Sequence, residues 1–233
     1  MNGQTVEQFA KLPSVSSTTD ISFGAELFRK GIHLLSLSIP IGYALLSKGV
    51  ALTILVPLTV AFVVADILIH YNKTFRRFAL RIVGPLLRPH ELRDDRLLLN
   101  GASYVLISAC VVVAIFPKVI AITSFAILIV SDISAAIVGR RLGVHRFLDK
   151  SLEGTLAFFV SALIVISVVG SYYQLPPVFY VITTIAAAVG ALAENLSIRL
   201  KMDDNVSIPL SIGLVLWGLA SFIPSAQSLL VIE

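Results

Sequence analysis

Charge is scarce in this sequence. Asp, Glu, Lys and Arg make up 14% of its 233 residues, while 57% are hydrophobic and the mean hydropathy is +0.92. A soluble domain is about 45–50% apolar and about 25% charged. A chain outside that range in both directions cannot hide its apolar residues in a water-facing globule, so ordinary solubility and disorder are both excluded. Cysteine is almost missing. Cys110 stands alone, which excludes a disulfide framework and a cysteine-rich metal site. Net positive charge is also small, +4, too modest for an electrostatic nucleic-acid binder, and no nucleic-acid partner is expected. Several motifs are absent as well: no GxxxxGK[ST], HExxH or GxSxG, and no GxGxxG after a strand. Residues 1–20 have no apolar core of a cleaved signal.

Long apolar runs are what the chain has. They are continuous and show no alternation, which argues against strands. A membrane-crossing helix needs about 20 mostly apolar residues. Seven runs are predicted as spans, at roughly 31–47, 50–69, 97–116, 119–138, 155–171, 177–193 and 207–225. The fold class is therefore all-α, a polytopic membrane protein with about seven transmembrane helices. Residues 1–22 are expected to be a flexible polar N-terminus, and 23–233 one integral-membrane domain.

Lysine and arginine set the orientation. The N-terminal segment, the 70–96 loop, the 139–154 loop and the 194–206 loop hold sixteen of the eighteen; only Lys48 and Lys118 fall on the other side. The positive-inside rule then puts the N-terminus and the even-numbered loops in the cytoplasm. Thirteen of the fourteen acids lie at or near the same face, Glu233 being the exception, as do all four histidines. Acids barely influence topology, so their placement points to chemistry at that face. A transporter would keep polar groups near the midplane.

Four clusters gather the polar residues. Glu26, Arg29, Lys30 and His33 have offsets 0, 3, 4 and 7, one helical stripe. A collar of snorkelling bases explains Arg29 and Lys30, and His33 less well. The second cluster is Ser131, Asp132, Ser134, Ala135, Ala136, Gly139, Arg140, Arg141 and Gly143. An acid within a span faces a cavity, a partner or a metal, and the small residues on its face allow a backbone or ligand close approach. Tight helix packing with Asp132 paired to a nearby arginine is the alternative.

The third cluster, Asp149 to Thr155, opens the fifth span. A helix N-terminus suits phosphate, with Lys150 adding charge and Ser151 and Gly154 leaving room; Glu153 as an N-terminal cap is equally open. In the fourth, Glu194 ends the sixth span after a small-residue face of Ala186, Ala187, Gly190 and Ala191, and Asp203, Asp204 and Asn205 precede the seventh. Those oxygens suit Mg²⁺, which takes one or two carboxylates plus phosphates; an Asx turn with Asn205 capping the helix is the alternative. The small-residue faces serve either packing within the chain or a homodimer. Three weaker features have plain explanations. Asp66 and His70, at i and i+4, are expected to pair. Cys110 is expected to be apolar filler. Residues 72–96 alternate basic and apolar residues as an interfacial helix holding anionic lipid would, ended by Pro85 and Pro89.

Five segments occur in a telling order: ELFRKGIHLL (26–35), LNGASYVLIS (99–108), SDISAAIVGRRLG (131–143), KSLEGTLAFF (150–159) and AEN…DDNVSIPL (193–210). Together they resemble the CTP-dependent polyprenol kinase family, which includes phytol and farnesol kinases, dolichol kinase and the yeast-type diacylglycerol kinase, and is related to phosphatidate cytidylyltransferase. The phytol kinase branch looks nearest. The resemblance implies an enzyme that passes the γ-phosphoryl group of CTP to the hydroxyl of a membrane lipid alcohol. It also implies that 23–233 is the catalytic domain, with membrane lipids and CTP as its partners. Phosphoryl transfer needs positioning and charge neutralisation above all. By that resemblance Arg29, Lys30, Arg140, Arg141, Lys150 and Ser151 would grip the triphosphate. Gly139, Gly143 and Gly154 would admit phosphates to backbone N–H groups. Asp132, with Asp203, Asp204 and Asn205, would hold Mg²⁺ or another divalent cation. Glu153 or Glu194 would orient the alcohol or take its proton. The expected location is a bacterial inner (plasma) membrane with the site facing the cytoplasm. A cytidylyltransferase and a non-enzymatic transporter or scaffold are the competing readings.

Overall fold

A computed structural model describes residues 23–83, 99–200 and 202–232. The expectations for residues 1–22, for the 84–96 part of the interfacial stretch and for the Glu26 side chain fall outside the described residues. Nine α-helices make up almost all of what is described: α1 (Phe23–Leu35), α2 (Ser38–Leu45), α3 (Lys48–Tyr71), α4 (Lys73–Val83), α5 (Gly101–Ile115), α6 (Lys118–Leu142), α7 (Leu152–Tyr172), α8 (Pro177–Leu200) and α9 (Asp204–Phe222). A 3₁₀ helix, Pro224–Leu230, follows α9. Among the described residues the one departure from helix is a small hairpin of β1 (Arg146–Phe147) and β2 (Lys150–Ser151), paired antiparallel.

Among the described residues, five helices are long and apolar enough to cross a membrane: α3, α6, α7, Pro177–Ser197 of α8, and α9. The other two expected spans are shorter. The third is the 15-residue α5. The first is broken into α1 and α2. Pro40 explains the break, since it has no N–H for the carbonyl of Ser36 and its ring crowds that carbonyl. The Ser36 oxygen is instead met at 3.0 Å by the Ile39 N–H, a tighter turn.

Several of the other helix starts follow from capping. Ser47, Asn100, Ser151 and Asp203 each accept a backbone N–H at the start of α3, α5, α7 and α9. Asn72 ends α3, and its Oδ1 accepts from Thr74 and Phe75 at 3.0 Å to start α4. Two cap expectations need correcting. Ser151, not Glu153, caps α7, and Asp203, not Asn205, caps α9. In both cases the residue just before the helix reaches back to the first turn, whereas the expected one already lies inside it.

Helix α6 is the axis. It is buried along most of its length and packs against α1, α2, α5, α7 and α9, while α8 closes against α7 and α9. The core is filled by side chains such as Phe116, Ile127, Phe158, Phe179 and Ile212, all fully buried. Helix α3 packs on α5 and otherwise leaves Val50, Ile54, Val60, Phe62 and Val64 exposed, as a lipid-facing helix would. The small-residue face of α8 packs inside the chain. Ala186, Ala187 and Ala191 are buried, and a Cβ on Gly190 would lie 2.5 Å from Ile212.

Asp66 does not pair with His70. Its carboxylate accepts from the Asn100 backbone at 2.9 Å, the Asn100 side chain at 2.6 Å and the Ser103 hydroxyl at 2.6 Å, tying α3 to the start of α5. A buried carboxylate gains more from three donors across the chain than from one histidine a turn away, and His70 instead stacks edge-on against Tyr71. Cys110 touches Thr59 Oγ1 at 3.0 Å, a side-chain contact beyond plain filler.

Candidate functional site

The C-terminal end of α6 forms one wall of a cavity of about 560 Å³. Arg29 and Lys30 of α1 line it from one side, and Asp132, Ala135, Ala136, Gly139 and Arg140 of α6 from another. The hairpin and the start of α7 add Lys150, Ser151, Gly154 and Thr155, α8 adds Glu194 and Ser197, and the entry to α9 adds Met202, Asp203 and Asp204. All four sequence clusters thus meet at one end of the helix bundle.

Two ion pairs organise the cavity. The Lys30 ammonium donates to Asp132 Oδ2, joining α1 to α6. Both groups are buried, and His33 Nε2 lies 3.6 Å from the same carboxylate. The sequence allowed an arginine partner for Asp132; the partner is a lysine from another helix. Across the cavity, Lys150 Nζ donates to Glu194 Oε1 at 2.5 Å. Burial alone would lower the Lys150 pKa, but the carboxylates of Glu194 and Asp204 more than offset it and hold the value above that of an ordinary lysine. Lys150 is therefore a firmly charged cation that faces the cavity.

The hairpin puts Lys150 there. Its two-residue turn places Leu148 at φ 53, a left-handed conformation that costs a non-glycine residue about 1–2 kcal/mol. Contacts from α8 offset that cost. The fully buried Asn195 accepts the Asp149 backbone N–H at 3.0 Å and donates to Thr155 Oγ1 at 2.8 Å. Arg199 Nε donates to Asp149 Oδ1 at 2.8 Å. Asn195 was not singled out by residue type. Its position one residue after Glu194 was the available signal, because adjacent helical residues can send one side chain into the cavity and one to its wall.

The glycines bring backbones together. A Cβ on Gly154 would sit 3.1 Å from the Ala135 carbonyl and 3.3 Å from Gly139 Cα, and one on Gly139 would sit 3.0 Å from Ser151 Oγ. Gly143 is tighter, with Ser151 Oγ 2.8 Å from its would-be Cβ. Close approach of α6 to the start of α7 therefore accounts for Gly139 and Gly154, which also line the cavity, while at Gly143 the atom nearest the would-be Cβ is the Gly139 carbonyl oxygen of α6 itself.

Other candidates lie elsewhere. Glu153 is outside the cavity, where its carboxylate accepts the His145 backbone N–H at 3.1 Å and meets His145 Nδ1 at 2.8 Å. Arg141, Gly143, Asn205 and His33 do not line the cavity either. Asn205 is buried and donates through Nδ2 to Asp203 Oδ1 at 2.7 Å. Among the described residues no three His, Cys, Asp or Glu groups converge closely enough to hold a metal on protein ligands alone. The hard oxygens of Asp132 and Asp204 at one cavity fit the other mode, in which Mg²⁺ takes one or two carboxylates and completes its shell with phosphate and water.

Comparison with known proteins finds relatives of similar length. The uncharacterized protein RP860 of Rickettsia prowazekii is 33% identical over 195 residues, covering 83% of this chain and 93% of the relative. CTP-dependent diacylglycerol kinase 1 of Schizosaccharomyces pombe is 29% identical over 203 residues, with 79% and 88% covered. The uncharacterized protein MJ1137 of Methanocaldococcus jannaschii is 28% identical over 196 residues, with 82% and 92% covered. No protein-family model and no solved structure matches the chain.

Proposed function

We propose that the chain, which belongs to the family of the Rickettsia protein RP860 and is similar to a CTP-dependent diacylglycerol kinase, is a CTP-dependent lipid-alcohol kinase. It transfers the γ-phosphoryl group of CTP to the hydroxyl of a membrane isoprenoid alcohol of the phytol or polyprenol type, or of diacylglycerol. In this reading the chain crosses the membrane seven times, with α1 and α2 as one broken crossing and α5 as a short one. The N-terminus and the cavity face the cytoplasm, and residues 23–233 form one catalytic domain.

The observation that carries the reading is the convergence of Arg29, Lys30, Arg140 and Lys150 with Asp132, Glu194 and Asp204 on one cavity at the end of apolar helices. Bases beside acids at a membrane surface suit a polyphosphate that arrives from water and an alcohol that arrives from lipid. Arg29, Lys30, Arg140 and Lys150 hold and orient the phosphates, with the positive end of the α7 dipole beside them. Asp132 and Asp204 would hold Mg²⁺, which when bound neutralises charge on the β- and γ-phosphates. Glu194 is the acid placed to orient the alcohol or receive its proton; Glu153 lies too far aside for that role.

The test is a labelling experiment on purified protein with a lipid-alcohol panel. CTP labelled at the γ position is expected to label the lipid, and the same panel with ATP and GTP reads base preference. Incorporation of α-label alone would replace the kinase with a cytidylyltransferase. No turnover with any lipid would support the transporter or scaffold reading.

A further inference from the structure

Lys48 and Lys118 are the two bases left out of the cytoplasmic set, and they line the same cavity. It measures about 840 Å³ and lies between Tyr43, the 45–49 turn, Ile115, Pro117, Trp217 and residues 230–232. That volume is within the usual range of small-ligand sites. Lys118 opens α6 and Gly139 nears its end. At 1.5 Å per residue the new cavity lies about 30 Å along the axis from the first one, one hydrocarbon thickness away.

Three physical rules run against lysines here. Each is the first residue of a helix, α3 or α6, where the helix dipole is positive and cations are disfavoured. Both break the charge asymmetry that governs the rest of the chain. Among the described residues neither is paired with an acid, and no acid lines the cavity. Lys118 lies over the Tyr43 ring, 5.7 Å from its centre. The N-terminus of α6 adds to the positive field, because its cap, Pro117, has no side-chain hydrogen bond to offer. Simple snorkelling would account for one interfacial lysine, but not for two converging on a walled cavity at two helix starts.

We propose that this cavity binds the anionic headgroup of a phospholipid from the leaflet opposite the candidate active site. Lys48 and Lys118 meet the phosphate, Trp217 sits at the headgroup level as interfacial tryptophans do, and an acyl chain runs along the exposed Leu45 and Ile115. The proposal does not depend on the kinase reading.

Native mass spectrometry of the detergent-purified full chain, titrated with phosphatidylglycerol or phosphatidylcholine, tests it. The wild type should retain phosphatidylglycerol at least about tenfold better than phosphatidylcholine, as expected for two charge-assisted contacts of about 0.7 kcal/mol each. Lys48→Gln/Lys118→Gln should lose that preference, and Lys48→Arg/Lys118→Arg should keep it, which separates charge from folding. Equal retention of the two lipids by the wild type, or an unchanged preference in the Gln variant, would overturn the proposal. So would displacement of the lipid by inorganic phosphate at equal concentration, which would mark a free-anion site.

Discussion

Lys30 and Asp132 are 102 residues apart in sequence and meet as a buried ion pair between α1 and α6. Removing one partner leaves the other charged and buried, at a cost of about 3–5 kcal/mol. Lys30→Met and Asp132→Asn should each lower the unfolding midpoint in detergent and abolish lipid phosphorylation. The double variant should be less destabilised than the sum of the two, because no lone charge remains. Additive losses in a double-mutant cycle would show that the pair does not act as a unit.

The two glutamates of the third and fourth clusters should behave differently. Glu194→Gln is expected to reduce kcat by about 10²–10⁴, the range for loss of a proton-handling group. Glu153→Gln should leave kcat and KM near the wild-type values, since the carboxylate serves His145 outside the cavity. Equal losses in the two variants would reassign the role.

Gly154→Ala probes the meeting of α6 and α7. The added methyl meets backbone on two sides, where little can yield, so a cost of about 1–3 kcal/mol is expected. The shift also carries Ser151 and Thr155, so KM for the nucleotide should rise. Unchanged stability by thermal unfolding would contradict the close approach.

Asn195→Leu removes the buried bridge between the Asp149 backbone and Thr155. A buried donor left unsatisfied costs about 1–3 kcal/mol. The hairpin should loosen, and nucleotide KM should rise more than kcat falls, because Lys150 loses its position. A pure kcat effect would place Asn195 in the chemistry.

The raised pKa of Lys150 sets a pH window. A cation with a folded value above its usual 10.5 contributes stability that is complete below 10.5 and is lost only as pH climbs through the folded value. The difference in unfolding midpoint between wild type and Lys150→Met should therefore stay flat from about pH 7 to about pH 10. A decline within that interval would contradict the shift.

Local residue patterns were enough to locate Asp132, its small-residue face and the clusters now lining the cavity. The reason is physical: an acid in an apolar run and Ala or Gly at i+3, i+4 and i+7 are visible without a partner. The partners themselves were not visible. Nothing near Asp132 distinguishes Lys30 from Arg140, and nothing near Asp66 points to Asn100, because those contacts depend on how separate helices pack. Glu153 was misleading for the same reason, since a residue in the first turn can face the cavity or the loop beside it. Pro40 did announce the break in the first helix, but the apolar run around it read as continuous.

Lys30 and Lys150 are each held by a carboxylate. A phosphate that recruits either lysine must take it from Asp132 or Glu194, and the abandoned carboxylate then needs another cation. Polyphosphate and divalent ion would therefore enter as an electroneutral exchange, with neither binding well alone. On the proposed function, the ion pairs would act as a latch that opens to the salt of the nucleotide rather than to the nucleotide itself.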